Sequence, residues 1–243
     1  MVPNNQKLSP ISEDWERALA IVAHPDDLEY GAASAIARWT SQGKDIQYLL
    51  VTEGEAGIDS MPPEDVGPLR RKEEIASAKV VGVTDVQFLN YEDGVVEYGL
   101  PLRRDLTKII RSQKPDVIIT INHELQFAQG QLNMADHRWV AMAAFDAARD
   151  AGNRWIFQEL LQEGFHPWTG VKMVMVAASP NPTHWVDVSD SIGLGIQSLK
   201  LHRAYIENLS EDFDPEMFLS MNANASGEKV GVDYAIEFQV ILI

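Results

Sequence analysis

Strand-length runs of apolar residues alternate with helix-compatible segments through the first half of the chain, and this alternation restricts the fold more than any other feature. ALAIVAHPDD is apolar over the length of a strand and stops abruptly at Pro25 and two aspartates. An apolar run without polar alternation reads as a strand buried on both faces. LEYGAASAIARWTSQGK follows, rich in alanine and closed by Gly43 where a helix C-cap falls. The pattern repeats with DIQYLLVTEGE as a strand, LRRKEEIASAKVVGV as a helix ending at Gly82, and VQFLN as a short strand. LPLRRDLTKIIRSQK then reads as a helix and DVIITIN as a fourth strand. Strands alternating with helices imply right-handed parallel βαβ units. The expected fold is α/β: an open, doubly wound, mostly parallel sheet flanked by helices, Rossmann-like in outline.

The second half is less regular. DHRWVAMAAFDAARDAG has a strong helical pattern, Arg154 to Gln162 reads as another helix, and KMVMVAAS and HWVDVS as strands. IGLGIQSLKLHRAYIEN is expected as one late helix and AIEFQVILI as a final strand. LSEDFDPEMFLSMNANASGEKVGVD, with mixed signals, is expected as loop or short helix. At 243 residues, with no repeat or low-complexity linker dividing it, the chain is expected to form one domain over residues 1–243.

Charge and composition exclude some classes of function. A formal net charge of −16 gives none of the positive field that attracts phosphate backbones or anionic membranes, so nucleic acid is not an expected partner. No apolar run is long enough for a transmembrane helix, and the first residues carry no export pattern. The absence of cysteine fits a cytoplasmic protein and restricts any metal site to nitrogen and oxygen ligands.

The chemistry-bearing residues fall at strand ends and helix starts. In an open α/β sheet ligands bind outside the carboxyl ends of the strands, which is where His24, Pro25, Asp26 and Asp27 fall. His24 offers an imidazole, and Asp26 and Asp27 offer two carboxylates, of which one can bind metal while the other handles protons. Asp136 and His137 begin a later helix at the same sheet edge, where a neutral, ligating histidine suits the helix dipole better than a cationic one. Each motif alone reads equally as an aspartate helix cap. Together, two histidines and one aspartate make an open catalytic metal set, with zinc first and Fe2+, Co2+ or Ni2+ as alternatives. A nucleotide-binding reading finds no G-x-G-x-x-G loop after the first strand.

These residues resemble the PIG-L/LmbE-like deacetylase family. Ala23 to Asp27 read AHPDD, Thr52 to Glu55 read TEGE, Arg70 and Glu73 form an Arg-x-x-Glu pair, LNYEDG ends near Asp93, and Asp136 to Arg138 read DHR. The resemblance implies a zinc-dependent N-deacetylase acting on an N-acetylglucosamine-containing or related N-acylated small molecule. It carries His24, Asp27 and His137 over as metal ligands and Asp26 as general base. Arg70 and Asp93, with Glu53 beside them, fall at substrate-binding positions. A homo-oligomer is compatible with the resemblance. Many relatives read His-Pro-Asp-His at the second motif, where the first histidine steadies the oxyanion with help from the aspartate. This chain has Met134, Ala135, Asp136 and His137 instead, and methionine donates no hydrogen bond. His123 is the preferred replacement, ahead of Asn133, His166, His184 and His202. The rival reading is a metal- or ligand-binding module on the same scaffold that has lost turnover.

Overall fold

The computed structural model describes residues 7–128, 130–209 and 213–243. A short edge strand, β1 (Ser9–Pro10), precedes β2 (Arg17–Val22), which feeds helices α1 (Asp27–Gly31) and α2 (Ala33–Ser41). Then come β3 (Asp45–Leu50), α3 (Pro63–Val80), β4 (Val86–Phe88), α4 (Leu100–Gln113) and β5 (Val117–Ile121). A two-stranded hairpin, β6 (Gln126–Ala128) and β7 (Gln131–Leu132), leads into α5 (Ala135–Gly152). The remainder is α6 (Glu159–Gln162), β8 (Met173–Ala177), β9 (His184–Asp187), α7 (Ile192–Leu199), α8 (Arg203–Glu207), α9 (Pro215–Val230) and β10 (Ala235–Leu242).

Eight strands form one sheet in the order β1-β9-β10-β8-β5-β2-β3-β4. Strands β8, β5, β2, β3 and β4 run parallel, and β10 enters antiparallel between β8 and β9. The chain moves outward from β2 through β3 to β4, then returns to β5 on the other side of β2. The order therefore reverses between β2 and β5, and a crevice opens there at the strands' carboxyl ends.

Period-two alternation places both faces of the sheet in apolar cores. Ala18, Ala20 and Val22 of β2 face a cluster with Leu28, Ile36, Trp39, Tyr48 and Phe238. Leu19 and Ile21 face the opposite one, with Leu49, Leu102, Leu106, Ile110 and Val140. Each fully buried aliphatic or aromatic side chain stabilises the fold by ~1.5–3 kcal/mol. Along α5, Ala143, Ala144, Ala147 and Ala151 form a small-residue face that lets this helix lie close against the sheet and α4.

Three expectations from the sequence are corrected. Residues 154–162 hold only the single turn α6, because Asn153 caps the backbone of Trp155 and Phe157 takes a positive φ of 52°, both of which interrupt a helix. The late helix divides into α7 and α8 around buried His202. The segment expected as loop or short helix contains α9, which is 16 residues long. Its weak amphipathic pattern hid it, but its ends carry standard signals. Asp214 accepts hydrogen bonds from the amides of Glu216 (2.8 Å) and Met217 (3.3 Å), Pro215 follows, and Gly231 closes the helix in the left-handed conformation at φ 84°. No helix among the described residues is long and apolar enough to cross a membrane.

Candidate metal centre and substrate cavity

His24, Pro25, Asp26 and Asp27 leave the carboxyl end of β2 at the reversal in strand order. Asp27 folds back on the strand: its Oδ2 accepts from the amides of Ala23 (3.0 Å) and His24 (2.9 Å), and its Oδ1 lies 3.0 Å from His137 Nε2. Against the effect of burial, the imidazoles of His137 and His24 hold the Asp27 carboxyl well below the usual carboxylate range. Half of this side chain is thus fixed by backbone, while the other half faces the two histidines.

Each histidine has its second ring nitrogen engaged elsewhere. His24 Nε2 lies 2.8 Å from Asp93 Oδ1 and 3.3 Å from Asp136 Oδ2. His137, in the first turn of α5, has Nδ1 3.0 Å from Asn133 Oδ1. Asn133 in turn donates to the carbonyls of Asn122 (2.8 Å) and Glu124 (2.9 Å), which leaves its amide oxygen for the histidine. Such partners select the tautomer, so His24 Nδ1 and His137 Nε2 turn their lone pairs toward one point.

The donor set suits a divalent cation. His24 Nδ1, His137 Nε2 and Asp27 Oδ1 are separated by 3.1, 3.0 and 3.8 Å. Bonds of ~2.0–2.1 Å place the ligand atoms of a tetrahedral ion roughly 3.3 Å apart. Two imidazole lone pairs 3.1 Å apart repel unless a cation lies between them. Asp26, Asp27, Asp93 and Asp136 also concentrate negative charge here, against the single buried guanidinium of Arg70.

Asp26 stands beside this triangle in a strained conformation, with φ 91° and ψ −18°. A left-handed backbone costs a non-glycine residue ~1–3 kcal/mol and persists only where its surroundings enforce it. Here the amide donates to Glu74 Oε2 (3.1 Å), Oδ1 pairs with Arg70 Nη2 (3.1 Å), and Oδ2 has no partner among the described residues. Burial pushes the Asp26 carboxyl up to about 6 against the opposing charge of Arg70. Arg70 itself donates to the carbonyls of Gly54 (2.9 Å) and Pro25, and its guanidinium lies 4.3 Å from the centre of the Tyr205 ring. Gly54 has to be glycine: at φ 66°, a Cβ would fall 2.2 Å from Arg70 Nη1.

A cavity of about 770 Å³ opens over the triangle. Its floor carries His24, Asp26, Asp27, Arg70, Asp93 and His137; its walls include Tyr30, Phe127, Gln131, Met134, Tyr205, Phe218 and Asn222. The structure therefore brings together seven of the nine residues singled out in the sequence, counting Asp136 beneath His24. Asp136 does more than touch His24: its carboxylate accepts from the amides of Gly94 (2.7 Å) and Val96 (3.2 Å) and so fixes the loop that carries Asp93. Glu53 and His123 are not brought to the cavity. Glu53 pairs with Arg71 beside a separate surface hollow. His123 packs edge-on against Phe145, with ring centres 4.9 Å apart, because the backbone turns there to start the hairpin. Among the other donors considered, Asn133 serves His137, His166 is exposed, His184 lies on β9 beside Thr183, and His202 is wholly buried. Tyr205, Phe218 and Asn222 carried no sequence signal, since they come from segments whose helical faces the residue pattern left undefined.

Residues 19–148 match the family described as PIG-L: GlcNAc-PI de-N-acetylase. The diacetylchitobiose deacetylase of Thermococcus kodakarensis is 26% identical over 232 residues, covering 94% of this chain and 84% of that protein. The mycothiol S-conjugate amidase of Streptomyces coelicolor is 27% identical over 161 residues, 56% of this chain and 54% of that protein. Among solved structures, the N,N'-diacetylchitobiose deacetylase of Pyrococcus horikoshii, complexed with its inhibitor MPG, superposes with a TM-score of 0.85. It shares 28% identity and covers 94% of this chain and 84% of its own. With the family match spanning more than half the sequence and both ends of the site, the chain belongs to the PIG-L/LmbE-like deacetylase family.

Proposed function

We propose that this protein is a metal-dependent N-deacetylase that removes the acetyl group from a small N-acetylated sugar, with zinc as the first candidate metal and Fe2+, Co2+ or Ni2+ as alternatives. The observation that carries the reading is the triangle of His24, Asp27 and His137, open on one side to a cavity with an unpartnered Asp26 oxygen beside it. When bound, the metal would polarise the acyl oxygen and acidify a water. Asp26, with Oδ2 unpartnered among the described residues, would take a proton from the attacking water and return it to the departing amine. Arg70 holds the other Asp26 oxygen, and Asp93 and Asn133 keep the two imidazoles turned inward.

A cavity of this size takes a mono- or disaccharide, and its wall of aromatic rings interspersed with amides suits a sugar's alternating apolar faces and hydroxyls. The relatives' substrates point the same way, two of those named above acting on diacetylchitobiose by name. Tyr205 supplies the donor that Met134 lacks. It lines the cavity, and its ring packs against the Arg70 guanidinium, 4.3 Å away.

The test combines elemental analysis with acetate release from N-acetylglucosamine and N,N'-diacetylchitobiose. One equivalent of metal is expected in the parent and in Asp26→Asn, and far less in His24→Ala and His137→Ala. Turnover is expected in the parent alone. A parent that takes up no metal, or an Asp26→Asn variant as active as the parent, overturns the reading. Metal uptake without turnover on any N-acetylated sugar favours the binding module instead.

A further inference from the structure

Beneath Asp26, on the side away from the cavity, lies a second group of ionisable side chains that the reaction does not touch. Glu29 of α1, Glu74 of α3 and His202 between α7 and α8 are each almost wholly inaccessible. His202 Nε2 is 3.7 Å from both Glu29 Oε2 and Glu74 Oε2. Ser77 donates to Glu29 Oε1 (2.7 Å) and shares a 2.7 Å hydrogen bond with Ser198, so polar atoms link α1, α3 and α7 here. Buried polar groups without full compensation destabilise a fold, and an apolar core would serve better if stability were their only role. One atom of this group reaches the site: Glu74 Oε2 accepts the amide proton of Asp26.

We infer that Glu74 is a positioning residue for the general base: by accepting the Asp26 amide it holds that residue in its left-handed conformation and so aims the Asp26 carboxyl at the metal triangle. The inference rests on the deacetylase reading with Asp26 as base. The backbone leaves β2, must present His24 and Asp27 to the metal, and must turn Asp26 between them toward Arg70. A left-handed φ of 91° achieves that turn at a conformational cost, and a hydrogen bond at the amide offsets it. Pro25 provides no amide, so the Asp26 amide is the first donor after His24 that a buried acceptor can hold. His202 Nε2, 3.7 Å from Glu74 Oε2, faces the same carboxyl from the other side. The neighbouring Glu73 accepts the amide of Ala204 (2.8 Å), so the same turn of α3 also sets the start of the helix bearing Tyr205.

The test is a series at Glu74 in the full-length, metal-loaded protein, with N,N'-diacetylchitobiose as the probe. Glu74→Gln keeps an acceptor oxygen at the same reach, Glu74→Asp withdraws it by one methylene, and Glu74→Met fills the space without an acceptor. Misplacement of a reacting group by ~1 Å costs about 100-fold, so Asp and Met variants are expected to lose about that factor in kcat with KM little changed, while Gln stays within about threefold of the parent. Metal content is expected at one equivalent throughout. In parallel, NMR hydrogen exchange at the Asp26 amide is expected to be slow in the parent and Gln variants and fast in the other two. A Met variant with parental kcat, a Gln variant as impaired as Met, or equal Asp26 exchange in all four overturns the inference. A parent without turnover removes the deacetylase reading, and amide exchange then decides the role of Glu74 alone. If the Met variant does not fold, the Gln and Asp pair gives the same comparison.

Discussion

At the scale of single residues, the site shows how one side chain is divided between two tasks. Asp27 gives one oxygen to backbone amides and one to the histidine pair, and Asp26 gives one to Arg70 and keeps one free. The residues that the motifs single out are legible because their chemistry is local: a histidine and two aspartates around a proline at a strand end have few other uses. What the sequence does not convey is which groups answer them. Asp93 faces His24 from the loop after β4, a pairing that no spacing sets, while Asn133 faces His137 from four residues earlier, just before α5 begins. The donor proposed in place of Met134 was equally hidden, because Tyr205 approaches from a helix distant in sequence. Removing an oxyanion donor costs ~100- to 1000-fold in rate. Tyr205→Phe should therefore lower kcat by about that range while leaving KM and metal content near the parental values. An unchanged kcat in steady-state acetate release assigns the oxyanion to another group.

The regular elements follow from apolar periodicity wherever burial is complete, and this is why β2, β3, β5 and β8 are each readable as strands. Periodicity fails for α9 because its buried face, Pro215, Leu219, Ala223 and Gly227, carries a single large aliphatic side chain, Leu219. Its caps then matter more than its pattern. Because α9 carries Phe218 and Asn222 into the cavity wall, fraying at its first turns should reach the substrate. Replacing an aspartate N-cap by alanine costs ~0.5–2 kcal/mol. Asp214→Ala should thus lower Tm by a few degrees and raise KM more than it lowers kcat, with full metal content. Calorimetry and steady-state kinetics on the same sample check both parts, and a lower Tm with unchanged KM separates α9 from substrate binding.

For the molecule as a whole, acid sensitivity is expected where carboxylates hold distant segments together. Glu13 receives hydrogen bonds from Arg38 (2.9 Å), Trp39 (2.8 Å) and Gln42 (3.2 Å), tying the segment before β2 to α2. Burial opposes its ionisation, but Arg38, Trp39 and Gln42 together hold the carboxyl below its usual value of 4.5. The folded protein then binds this proton less readily than the unfolded chain. Its contribution is complete above the unfolded value and is lost as pH falls through the lower folded one. Urea midpoints at neutral pH and near pH 3 should accordingly converge for parent and Glu13→Gln on acidification, the parent losing more. Parallel losses in the two proteins remove Glu13 from the acid response.

The placement of β10 has a consequence for how the molecule is made. On the ribosome, β2 through β5 emerge in an order that lets each pair with a strand already present, and β8 then adds beside β5. β8's other edge faces β10, which is synthesised after β9 and three intervening helices, and β1 reaches the sheet only through β9 and β10. For the seconds that this stretch takes at ~5–20 residues per second, the apolar edge of β8 is left uncovered, the kind of surface that chaperones bind and that aggregates recruit.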